Sequence, residues 1–217
     1  MSRQGVKWQL AIAAAAAVLF AAVAVLVVRQ VPLVLSLDSG VHEWVASRRF
    51  PALTGFMGIY THLAEWFVYL PLALLLLALP RTRRPVGLPV AATMAVSALL
   101  NLLLKALFAI PRPPDQLVHA AGMSFPSGHT MTGTAFTVAI ILLIWNSGMN
   151  PARKTIFTLL AAVYVIGIWF SRVYLGVHNP SDIIGGFLAG LAVAMAVSAL
   201  FNSSLLLAER GNSSTHS

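Results

Sequence analysis

Cysteine is absent from the 217 residues, which excludes both a disulfide framework and a thiolate metal site. Charge is scarce as well. Asp, Glu, Lys and Arg make up 9% of the chain, where a soluble globular protein carries about a quarter. So few charges do not cover a water-facing surface. Acidic residues are the scarcest, six against fourteen Lys and Arg, which leaves a net charge of +8. That excess does not point to nucleic acid, because the basic residues are scattered at helix ends without a stripe of interleaved aromatics. In a membrane protein it sets topology and draws anionic lipid headgroups. No large repeat or low-complexity linker divides the chain, and a single domain over residues 1–217 is the expectation.

What the chain does have is apolar length: 59% of it is hydrophobic. A bilayer core takes about 20 apolar residues per helix, and six runs qualify. They are Trp8 to Val28, Phe56 to Leu79, Leu88 to Ile110, His129 to Trp145, Thr155 to Phe170, and Asp182 to Leu207. The fold class that follows is all-α, an integral membrane bundle of six transmembrane helices. The first run is longer than the roughly 7–15 apolar residues of a signal peptide, so it reads as an uncleaved anchor. The closing "ERGNSSTHS" is short and polar and is expected to fray.

Loop charges orient the bundle. Arg3, Lys7, Arg81, Arg83, Arg84, Arg153, Lys154 and Arg210 fall on one side, with Arg29, Arg48, Arg49, Lys105, Arg112 and Arg172 opposite. The bias is small until Lys105, Arg112 and Arg172 are set aside as members of a site. Both termini then belong in the cytoplasm, and "RTRR" reads as a topology signal. The outer segment "DSGVHEWVASRRFPALTGF" is read as an interfacial helix carrying Trp44 and Phe50.

The outer helix ends gather the polar residues. "KALFAIPRPP" carries Lys105 and Arg112 seven apart, "FPSGH" opens the fourth helix, and "SRVYLGVHNPSD" carries Arg172, His178 and Asp182. Ionisable groups at this depth mark functional sites by default. Three cations, two histidines and a carboxylate at one level suit a multiply charged anion, and phosphate is the obvious guest for arginine forks. In "PSGH", Gly128 lets backbone N–H groups approach an anion at a helix start. "NPSD" reads as Asn179 at the N-cap and Pro180 at the first helical position. Asp182 then lies within one turn of His178, close enough to orient its imidazole.

The three stretches together resemble the type 2 phosphatidic acid phosphatase superfamily of integral-membrane lipid phosphate phosphatases. The first motif is Lys105 through Pro113, the second is Pro126 to His129, and the third is Ser171, Arg172, His178 and Asp182, all in order and with intact spacing. Residues 105–182 hold the motif core. The resemblance implies that His178 attacks phosphorus to form a phosphohistidine and that Asp182 holds its tautomer. It implies that His129 protonates the leaving oxygen and then activates water. It further implies that Lys105, Arg112 and Arg172 bind the phosphoryl oxygens, assisted by Ser127 and the Gly128 backbone. No cofactor or metal is implied. By ligand type alone, His129, His178 and Asp182 also make a conceivable zinc set, beside three cations that repel one.

The partners that follow are a lipid phosphate substrate and membrane lipids, without nucleic acid; oligomeric state is not encoded. The compact, alanine-rich form reads as bacterial, in the inner membrane with the site facing outward. Undecaprenyl diphosphate is favoured slightly over phosphatidylglycerol phosphate, with phosphatidate and a lipid A phosphate open. Vanadium haloperoxidases share the motifs but are soluble helical proteins, which six spans disfavour. A non-catalytic lipid binder or transporter would more typically show repeats and broken helices at mid-membrane.

His62 and Glu65 sit three apart on the second helix, open between a supporting or headgroup contact and a structural polar pair, and are left outside the site. For the other residues packing or solvation is the preferred reading, with one exception. His119 and Asp115 are read as solvated loop residues, and Asn101 is undecided between a helix contact and the substrate. Gly186 and Gly190, with Thr130, Thr132, Gly133, Thr134 and Thr137, are read as helix packing.

Overall fold

The computed structural model describes residues 2–214, and among them the regular structure is helical. The helices are α1 (Arg3–Val28), α2 (Pro32–Ala46), α3 (Pro51–Tyr60), α4 (Trp66–Ala78), α5 (Pro80–Thr82), α6 (Leu88–Phe108), α7 (Gly128–Trp145), α8 (Pro151–Tyr174) and α9 (Pro180–Ser214). Proline opens α2, α3, α5, α8 and α9, where its missing N–H is one of the unpaired donors anyway. Six units are long and apolar enough to cross a membrane: α1, α3 with α4, α5 with α6, α7, α8, and α9 to Ser204. The protein is thus a multi-pass membrane bundle, and an even number of crossings returns both termini to one face.

The expected boundaries shift in instructive ways. Helix α8 is longer at both ends than Thr155 to Phe170: it starts at Pro151, behind an Asn150 cap, and carries Ser171 and Arg172 in its last turn. The surface helix is α2, which begins six residues before Asp38 and ends at Ala46; Pro51 to Phe56 belongs to a span instead. Leu33, Leu35, Leu37 and Trp44 are exposed on α2, and the Arg48 guanidinium lies 4.2 Å from the Trp44 ring centroid. The polar tail is helical through Ser214 rather than frayed; residues 215–217 lie outside the described residues.

The second span is broken. Helix α3 stops at Tyr60, a 3₁₀ turn covers Thr61–Ala64, and Glu65 is extended (φ −86°, ψ 155°) before α4 starts. His62 and Glu65 therefore do not share a continuous helix face. A break inside a membrane frees backbone groups that must find other partners. Tyr164 of α8 supplies them: its hydroxyl donates to the Leu63 carbonyl at 3.0 Å, and its own carbonyl accepts from the Tyr60 hydroxyl at 3.0 Å. The Tyr69 hydroxyl closes the group at 2.6 Å from that of Tyr164.

At the centre, α9 packs between α1 and α7, and α7 also meets α6 and α8. The α9 span is the most buried of the six. Its glycines explain the close approach to α7. A Cβ on Gly186 would stand 2.7 Å from the Ser127 carbonyl oxygen, and one on Gly190 would overlap the carbonyl of Met131. Away from this end, Gln9 Nε2 donates to Ser198 Oγ at 2.9 Å and Asn202 Nδ2 donates to Gln9 Oε1 at 3.1 Å, pinning α1 to α9. Replacing Gly190 by leucine should push α9 off α7 and cost about 1–3 kcal/mol, read as a lower melting temperature in detergent. Gly55→Ala meets no atom within 4 Å and should leave that temperature unchanged or slightly raised.

Candidate active site

A cavity of about 690 Å³ opens at the end of the bundle where α6, α7 and α8 meet the loops, and its wall includes Lys105, Arg112, Gly128, His129, Arg172 and His178. The structure thus brings the cations and both histidines of the three sequence motifs to one surface, with Asp182 buried behind it. Lys105 projects from the last turn of α6 and donates to the Met123 carbonyl. Arg172, on the last turn of α8, is 4% exposed and donates through Nη1 to Thr61 Oγ1 at 2.7 Å. Its Nε is buried without a partner among the described residues.

Arg112 is held from several sides. Its Nε donates to the Gly122 carbonyl (3.1 Å), Nη2 to Ala121 (3.0 Å), and Nη1 to Val177 (2.8 Å) and to His178 Nε2 (3.0 Å). Burial draws this guanidinium below its ordinary range, with Asp182 opposing.

His178 sits in the turn between α8 and α9 and is 1% exposed. Its Nδ1 is 3.2 Å from Ser124 Oγ, and Ser124 Oγ donates to Asp182 Oδ2 at 2.5 Å. The direct His178 Nδ1–Asp182 Oδ2 contact is longer, 3.4 Å. Asp182 therefore orients His178 partly through the Ser124 hydroxyl. With the carboxylate and hydroxyl on Nδ1, the proton belongs there, and Nε2 keeps a lone pair facing Arg112. Burial first, then the Arg112, Arg172 and Lys105 charges, push His178 well below the usual histidine value.

The start of α9 is built differently from the expectation. Asn179 does not cap it with its side chain, whose Oδ1 accepts from His42 Nε2 at 2.9 Å. The cap comes from α2: Asp38 Oδ1 accepts from the Ser181 N–H (2.9 Å) and Oδ2 from the Ser181 hydroxyl (2.6 Å). The Asn179 N–H in turn donates to Asp182 Oδ2 at 2.8 Å, so α2 and the first turn of α9 together hold the orienting carboxylate. Burial raises the Asp38 carboxyl, opposed by its bonds to Ser181.

At the start of α7, Ser127 makes no side-chain cap, which leaves the first-turn amides, Gly128 included, open to an anion. Ser127 itself is fully buried and absent from the cavity wall; its N–H donates to the Asp182 carbonyl at 3.1 Å, and its Oγ has no partner among the described residues. Asn101 ties α6 to the chain just before α7. It donates to the Pro126 carbonyl at 3.2 Å and also lines the cavity.

Four residues outside the motif reading belong here. Ser124 immediately precedes "FPSGH", so adjacency is its one signal. Thr61, His62 and Glu65 come from the broken span; Glu65 Oε1 stands 3.1 Å from His129 Nε2, and all three line the cavity. His119 lines it too, although exposed, whereas Asp115 does not.

Residues 86–205 match the PAP2 superfamily. A phosphatidylglycerophosphatase B of Bacillus subtilis is 32% identical over 168 residues, covering 76% of this chain and 83% of that protein. An undecaprenyl-diphosphatase of Sulfolobus acidocaldarius is 30% identical over 145 residues, 64% of this chain and 66% of that protein. The crystal structure of a transmembrane PAP2-type phosphatidylglycerolphosphate phosphatase from Bacillus subtilis superposes with a TM-score of 0.79 at 28% identity, covering 88% of this chain and 96% of that one. A match over more than half of its length, and over most of the Bacillus subtilis protein, makes the chain a member of the PAP2 superfamily and an integral-membrane lipid phosphatase.

Proposed function

We propose that this chain, acting as one domain over residues 1–217, removes the terminal phosphate of undecaprenyl diphosphate to leave undecaprenyl phosphate. The observation that carries the reading is a buried His178 whose Nε2 accepts from Arg112 Nη1 at 3.0 Å on a wall shared with Lys105 and Arg172. Nε2 attacks phosphorus as the bond to the leaving oxygen breaks, and the Nδ1 proton stays with Ser124 and Asp182. Lys105, Arg112, Arg172 and the Gly128 amide take the charge of the phosphoryl oxygens, which is most of what phosphoryl transfer asks of a protein. His129 gives its proton to the leaving oxygen, then accepts one from the water that cleaves the phosphohistidine. Ser127 supports the α7 start from behind rather than touching phosphate. Three fixed cations supply the positive charge for which other phosphatases recruit metal ions.

The reading places the site at the outer face of a bacterial inner membrane, with both termini cytoplasmic. Charge supports this orientation. Arg49 as well as the three site cations is engaged, its Nε donating to the Tyr174 carbonyl at 3.0 Å. Arg29 and Arg48 are then the basic residues left on the site's side, against eight across the membrane. Phosphatidylglycerol phosphate is the second reading, supported by the name of the Bacillus subtilis relative that this chain covers to 83%.

His178→Ala should lower phosphate release by at least about a thousandfold while the purified protein stays folded, with a melting temperature somewhat lowered by the loss of a buried, hydrogen-bonded ring. His129→Ala should lose about 10²–10⁴-fold, and wild-type turnover should persist in excess EDTA. Because burial and cations depress the His178 value, its ring should stay neutral below pH 6.5, the ordinary histidine midpoint. Imidazole ¹⁵N spectra assigned with His178→Ala test this; a midpoint at or above 6.5 would contradict the charge state required of a nucleophile.

A further inference from the structure

We propose that Glu65 is the positioning residue of the acid–base histidine, so that the site holds two carboxylate–histidine pairs, one on the nucleophile and one on the acid–base group. This rests on the phosphohistidine reading above. The contact is His129 Nε2 to Glu65 Oε1 at 3.1 Å, and both residues line the cavity. An ionised carboxylate there holds a proton on His129 Nε2 and fixes the ring's orientation, which leaves Nδ1 to carry the proton that is transferred.

The backbone is arranged for this. Glu65 is the extended residue between the 3₁₀ turn and α4, and a continuous helix would not present it this way. The break is costly in a membrane and is held by Tyr164 on the Leu63 carbonyl. Its two ends serve the site separately: Thr61 accepts from Arg172 at 2.7 Å, and Glu65 meets His129. The pair is also less enclosed than the nucleophile pair, with side chains 18% and 28% exposed against 1% for both His178 and Asp182. That suits a proton that must pass to a departing oxygen and return from water.

The balance of protons gives the proposal its signature. In the first step the His178–P bond forms, the P–O bond breaks, and the His129 proton goes to the leaving oxygen. In the second, water adds to phosphorus, its proton goes to His129, and the His178–P bond breaks. A lipid alkoxide is a far stronger base than a lipid phosphate, so departure of an alcohol depends on the proton more than departure of a phosphate does. Hydrolysis of the phosphohistidine needs the base in either case.

The test is Glu65→Gln, with Glu65→Asp alongside, in the full-length protein. Substrates are undecaprenyl diphosphate and phosphatidylglycerol phosphate, each with ³²P in the terminal phosphate, quenched in alkali to preserve phosphohistidine. With the diphosphate, Glu65→Gln should lose about tenfold in turnover, and most of the protein should carry label at steady state. With the monoester the loss should reach about a hundredfold, without labelled protein. Glu65→Asp should recover part of both. Turnover within twofold of wild type on whichever substrate is cleaved, or equal losses without label on the diphosphate, would overturn the proposal, since a residue that merely shapes the wall slows both steps alike. Failure of the underlying mechanism reads differently: wild type and His129→Ala would never label, and His178→Ala would stay active.

Discussion

The donors of Arg112 hold the site together. Inside a membrane protein an unpaired guanidinium N–H is expensive, and here the fork is satisfied by three carbonyls and one imidazole nitrogen. Two of those carbonyls lie at Ala121 and Gly122 in the long loop before α7, and the third is Val177, next to the nucleophile. A single side chain thus ties the loop between α6 and α7 to the turn between α8 and α9. Lys105 adds a tie from α6 to Met123 of the same loop. The cations that make the wall attractive to phosphate are also the fasteners of the loops that form it.

The two histidines divide the work through their surroundings. His178 is sealed, wedged between a cation on Nε2 and a hydroxyl–carboxylate pair on Nδ1. His129 opens the first turn of α7 and keeps part of its ring accessible. Groups of one type placed in environments that push them apart are a common way to run acid and base chemistry in one cavity. The dense packing of α7 on α9 at Gly186 and Gly190 sets the distance between the two helix starts that carry these residues.

The local part of this arrangement was legible in the sequence. Six apolar runs gave the spans, and fixed spacings within "KALFAIPRP", "PSGH" and "SRVYLGVHNPSD" gave the cations, both histidines and Asp182. Short-range spacing carries such information because neighbours in the chain stay neighbours in space. The partners that finish the site have no such signature. Asp38 reaches Ser181 and Thr61 reaches Arg172 across more than a hundred residues. Glu65 was discounted because a helical i, i+3 pair has a bland default, and the break that overturns it depends on Tyr164, far along the chain. Asn179 looked like a cap by residue type, but His42 engages its side chain and Asp38 caps instead.

The cap on α9 has a consequence for biogenesis. Asp38 and Ser181 are 143 positions apart, and α9 leaves the ribosome after the other five spans described. During synthesis, Asp38 and His42 on α2 wait without their α9-end partners until five crossings are complete. Insertion of α9 delivers Ser181, Asp182 and the glycine face that seats against α7. A nascent chain stalled before that point already holds Lys105, Arg112, His129 and Arg172 but lacks Asp182, and with it the carboxylate at 3.4 Å from His178 Nδ1. The contact between His178 and its carboxylate is therefore among the late events of membrane assembly.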